Sequence, residues 1–136
     1  MSSAGIVPGY ILHCKDYEFE DGEKANKYFV VVGAKPGSNY LAVMATSKPH
    51  YRQFRSGCHA DDGYFHIPGG RRDWFPDDTW LLLARGLELS APELLRLSLK
   101  EKRITTVGNL RVDIANGIRK CMRNCHDVPG TYIDLL

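Results

Sequence analysis

Short β-rich runs followed by amphipathic helical patterning predict a strand-first α+β domain. Its sheet is expected to be a small, mainly antiparallel, barrel-like one of about five strands, with a C-terminal helix packed on it. Three observations carry this. Apolar runs punctuated by Gly and Pro fill the first two thirds of the chain, a capping signature opens at Ser90, and a one-sided apolar pattern runs from Leu110 to Cys125. No repeat, low-complexity tract or linker interrupts the 136 residues, so residues 1–136 read as one domain.

The elements follow in order. Tyr10 to Cys14, preceded by Pro8-Gly9, reads as the entering strand, and the acidic stretch Asp16 to Asn26 as a loop. Lys27 to Val32 and Tyr40 to Ala45 flank Lys35-Pro36-Gly37-Ser38-Asn39, whose turn chemistry makes them a hairpin. Thr46 to Asp62 reads as a long loop. Tyr64 to Ile67 and Thr79 to Ala84 are two more strands, the second continuously apolar. Ser90-Ala91-Pro92-Glu93 is a capping box with proline in the first turn, and Leu94, Leu95 and Leu97 suit the short helix that follows. Gly108-Asn109 is read as the start of the last helix. Its face of Leu110, Ile114, Ile118, Cys121, Met122 and Cys125 packs, while Arg111, Arg119, Lys120 and Arg123 lie mostly elsewhere.

Composition is that of a globular protein, with 43% hydrophobic and 25% charged residues. The net charge of +2 is too small to argue for a nucleic-acid partner, but its distribution is uneven. Eight basic residues face two acidic ones from Leu94 to His126, against ten and twelve before it. No apolar stretch is long enough to span a bilayer, so no membrane partner is expected. Met1 to Pro8 lacks a charged start and a long apolar run, and Cys14, Cys58, Cys121 and Cys125 are scattered; the expectation is a cytoplasmic protein with four reduced thiols. Adjacent His and Cys at His13-Cys14, Cys58-His59 and Cys125-His126 invite a zinc site. The spacing lacks a Cys-x-x-Cys pair, so no metal and no cofactor is expected.

Pro8-Gly9 before the first strand, Asp21-Gly22-Glu23, Lys27 to Val32, and Thr46-Ser47-Lys48 closing the third strand occur in an order that resembles the PemK/MazF family of toxin–antitoxin toxins. The likeness extends through Thr79 to Leu83 and Gly108-Asn109-Leu110. It implies an SH3-like barrel, frequently a homodimer, that cleaves single-stranded RNA without a metal and is held in check by a cognate antitoxin protein. The family's catalytic arginine at the start of strand two falls on Lys27, and its Thr or Ser at the end of strand three on Thr46 or Ser47. Lysine is a departure: it offers a point charge where arginine offers a fork for two phosphate oxygens. The proline that usually follows that arginine is replaced by Tyr28.

The chemistry implied is attack of a ribose 2′-hydroxyl on the adjacent phosphate, which needs a cation and groups that move protons. Lys27 supplies the first, Thr46 and Ser47 position the phosphate, and His50, His59 and His66 are the candidate proton carriers. Lys48, His50, Tyr51, Arg52 and Arg55, with Arg71, Arg72 and Trp74, interleave basic and aromatic side chains. That mixture holds phosphates and stacks unpaired bases, so these residues and His66 form the candidate RNA-binding set. The rival class is an inactive barrel that binds RNA or a protein partner.

Overall fold

The computed structural model describes residues 5–47, 55–70 and 74–136. Its strands are β1 (Tyr10–Glu18), β2 (Lys24–Gly33), β3 (Tyr40–Thr46), β4 (Gly57–His59), β5 (Tyr64–Ile67), β6 (Thr79–Leu89) and β7 (Ile104–Asn109). The helices are α1 (Ala91–Leu95), which continues as a π-helical turn over Arg96–Lys100, then α2 (Val112–Arg123) and α3 (Gly130–Ile133). The strands form one seven-stranded sheet in the order β4-β5-β6-β3-β2-β1-β7, and every ladder is antiparallel.

The α+β class and the antiparallel pairing are therefore as expected, whereas the closed barrel of five strands is not. The sheet is open, with β4 and β7 as its edges. Both edge strands escape the sequence pattern for a physical reason. β4 is three residues long, too short to show a period, and β7 exposes Thr105, Thr106 and Val107, so it lacks an apolar signature. Gly108-Asn109 closes β7 rather than opening the helix, which begins at Val112. The acidic stretch after Cys14 is also mostly strand: β1 runs on to Glu18 across a bulge at Asp16, whose φ is 55°.

The strands are apolar on both faces because both are covered. Ile11, Val30, Val43, Leu81 and Phe65 alternate onto the side where α2 lays Ile118, Cys121 and Met122. Leu12, Phe29 and Met44 face the other side, with Leu94 of α1 and Ile104. Two-sided burial explains why Phe29, Val30, Val31 and Val32 are each at most 1% exposed and read as a continuous run. The α1 capping box forms as its sequence requires: the Glu93 amide donates to Ser90 Oγ, and Glu93 Oε1 accepts from the Ser90 amide. Of the leucines that follow, Leu94 is buried and Leu95 is exposed.

The four cysteines are not all thiols. Cys58 of β4 and Cys121 of α2 form a disulfide with Cα atoms 5.5 Å apart, while Cys14 and Cys125 are free and buried. This corrects the expectation of four reduced cysteines. Spacing of 63 residues hides the pair, because only the packing of α2 over the β4 edge brings the two residues within bridging distance. No helix among the described residues is long and apolar enough to cross a membrane.

Candidate nucleic-acid interface

The β2–β3 ladder sets the site. Tyr28 pairs with Ala45 at the end of that ladder, and Lys27 and Thr46 are the next residues along their strands. Around these strand ends lies a pocket of about 460 Å³. Its walls include Asn26, Lys27, Tyr28, Thr46, Ser47, Trp74, Phe75 and Asp77. The expected catalytic residues Lys27, Thr46 and Ser47 thus share one cavity with Trp74 of the expected RNA-binding set.

The remaining expected residues divide. Arg55 is exposed just before β4, its carbonyl 2.7 Å from His59 Nε2, and does not line this pocket. His66 is only 2% exposed: it stacks on Trp80 at 5.0 Å and its Nε2 lies 3.7 Å from Asp78 Oδ2, so it presents no surface to an RNA strand. His59 is equally buried, stacked on Tyr64. All four residues of β5 are buried, and His66 pairs across the ladder with the buried Trp80. Lys48, His50, Tyr51, Arg52, Arg71 and Arg72 lie outside the described residues.

Aromatic rings dominate one wall. Tyr28 and Trp74 meet edge to face at 5.3 Å, Trp74 and Phe75 at 5.1 Å, and His13 tilts against Tyr28 at 5.0 Å. Phe75 is buried at 5% exposure, whereas Tyr28 is 39% and Trp74 36% exposed. One ring of this group anchors the cluster and two offer surface. Such half-exposed aromatic surface is costly to leave in water. Trp74 fits because Gly108 has no side chain: a Cβ there would lie 2.3 Å from the indole Cδ1.

Lys27 lines a second, larger cavity of about 720 Å³ with Tyr17, Phe19, Glu20, Asp21, Glu23 and Arg85, and its Nζ sits 5.6 Å from the Phe19 ring centre. The ammonium makes a cation–π contact, and Lys27 forms no ion pair among the described residues. Behind it, across the ladder, is Cys14. Burial pushes the Cys14 thiol up, partly offset by Arg103, so this sulfur is a packing group rather than a nucleophile.

Sequence reasoning missed Asn26 and Asp77, and took Tyr28 only as a missing proline. Asp77 had a signal, since Pro76-Asp77-Asp78 is a turn two residues beyond Trp74; the register that brings Tyr28 to Trp74 had none. No protein-family model matches the chain, and a comparison with curated proteins finds no match.

Proposed function

We propose that this pocket holds single-stranded RNA and cleaves it, in the manner of a PemK/MazF-like toxin. One observation carries the reading: Lys27, Thr46 and Ser47 line one cavity together with the half-exposed rings of Tyr28 and Trp74, from three separated stretches of chain. A phosphate needs the cation and the hydroxyls, and the base next to it needs the rings. In the cleavage step the 2′-oxygen attacks phosphorus and the 5′-oxygen leaves, so negative charge grows on the phosphoryl oxygens. Lys27 stabilises that charge, while Thr46 or Ser47 orients the phosphate by hydrogen bonding. The products are a cyclic phosphate and a free 5′-hydroxyl. The same reading carries the family's homodimer and a cognate antitoxin as partners.

A second reading has its own observation. No imidazole lines the pocket among the described residues, since His59 and His66 are buried. This favours a module that binds RNA without cutting it.

Incubation with varied single-stranded RNAs, with EDTA and without, decides between them. Cleavage that leaves cyclic phosphate ends and survives EDTA is expected. Binding without cleavage selects the module.

A further inference from the structure

The pocket contains a carboxylate that a phosphate site does not need. Asp77 lines the cavity with Tyr28 and Trp74, and it makes no ion pair or side-chain hydrogen bond among the described residues. Its backbone is held firmly. The Thr79 hydroxyl donates to the Asp77 carbonyl at 3.0 Å, and the strand-end residue Thr79 is itself buried. On the other side Gly69 packs so closely that a Cβ there would lie 2.5 Å from the Asp77 carbonyl carbon. The neighbouring Asp78 takes the Gly69 amide at 2.6 Å. An acceptor-only group is therefore presented from an anchored turn, beside aromatic surface and in a cavity that Lys27 also lines.

Near RNA a free carboxylate is repelled by every phosphate, so its presence is useful only against a partner that donates hydrogen bonds. Among the four bases the donor pattern is decisive. Guanine places two adjacent donors, N1–H and the N2 amine, on its Watson–Crick edge, which match the two oxygens of a carboxylate. Adenine sets a lone pair at N1 beside its amine, and cytosine one at N3 beside its amine, so each would turn a lone pair on Asp77. Uracil has a single donor between two carbonyls. Resting on the reading of the pocket as an RNA site, we propose that Asp77 makes it a guanine site. The base stacks on the outer surface of Trp74 or Tyr28, because the edge-to-face packing of those rings at 5.3 Å leaves no slot between them.

The test uses four 2′-O-methyl oligonucleotides, which lack the attacking hydroxyl: an all-U strand and three with a single G, A or C in that background. Affinity is read by fluorescence anisotropy of a labelled strand. Wild type should bind the G strand about tenfold to a hundredfold more tightly than the others, the discrimination expected of one bidentate pair. Asp77→Asn exchanges one acceptor for a donor, the pattern that adenine and cytosine both complement, so it should lose the G preference and gain for A and C. The Asp77 side chain is exposed, so the variant should fold, with an unchanged far-UV spectrum as the check. Equal binding of all four strands, or a G preference untouched by Asp77→Asn, overturns the guanine assignment and leaves the RNA reading intact. Failure to bind any strand, with capture of arginine-containing peptides instead, overturns both. Guanine-selective binding by a protein that never cleaves supports the inference and removes only the catalytic step.

Discussion

Trp74 rests against the α-carbon of Gly108, so an exposed indole from one loop depends on the missing side chain of a residue in the edge strand β7. The contact joins two segments that are 34 positions apart in the chain, and it holds the pocket's largest ring beside Tyr28.

Gly108→Ala should therefore move Trp74 while sparing the fold. Gly108 has an ordinary backbone conformation and Trp74 is partly exposed, so the ring can yield at a cost of about 1 kcal/mol or less. RNA affinity should fall, by up to the roughly 1–3 kcal/mol that one stacked base contributes. Thermal unfolding and oligonucleotide binding read the two effects separately. A variant that binds normally would show that Trp74 is not a stacking surface.

Lys27→Ala should lower the rate of RNA cleavage by about a hundredfold or more while binding weakens less, because the cation matters most where charge develops. Lys27→Arg should retain or raise activity. Single-turnover kinetics measure both. Cleavage indifferent to Lys27→Ala would place the chemistry elsewhere.

The Cys58–Cys121 bridge closes a loop of 63 residues and ties the three-residue edge strand β4 to α2. In the chain-entropy account a loop of that length is worth about 4 kcal/mol. Cys58→Ser, or reduction of the wild type, should lower the denaturant midpoint accordingly, and reduction of the variant should add nothing. Equal midpoints for oxidised and reduced wild type would show that the bridge does not form.

Cys14 supplies a pH dependence. Burial raises its thiol above the ordinary value, so the folded state resists ionisation that the unfolded chain undergoes freely. The stability it contributes is fully present below the ordinary thiol range and is lost as pH rises from there through the raised folded-state value. Urea unfolding at neutral and alkaline pH should show a steeper alkaline loss for wild type than for Cys14→Ala. Parallel losses would contradict the burial of that sulfur.

The sequence by itself determined the parts whose signals are local. Val30 to Val32 read as strand because β-branched residues suit a pleated surface. Ser90 and Glu93 announced a helix start because a capping box is made within four residues, and Ile118, Cys121 and Met122 shared a face because a helix repeats every 3.6 residues. The hairpin of β2 and β3 was also legible, since Lys35-Pro36-Gly37-Ser38-Asn39 is turn chemistry between two apolar runs, although β2 begins at Lys24 rather than at Lys27 and the ladder pairs Tyr28 with Ala45. What only the tertiary structure decided is whatever depends on residues far apart in the chain. The sheet stays open because β7 adds beside β1, an edge strand that carries no apolar period of its own. Cys58 meets Cys121 only when α2 crosses the edge strand. His66, polar and titratable, was read as a surface group, yet its register on β5 stacks it on Trp80 in the interior. Tyr28, Trp74 and Asp77 become one site only when the turn after Trp74 folds against the end of β2, and no spacing along the chain encodes that approach.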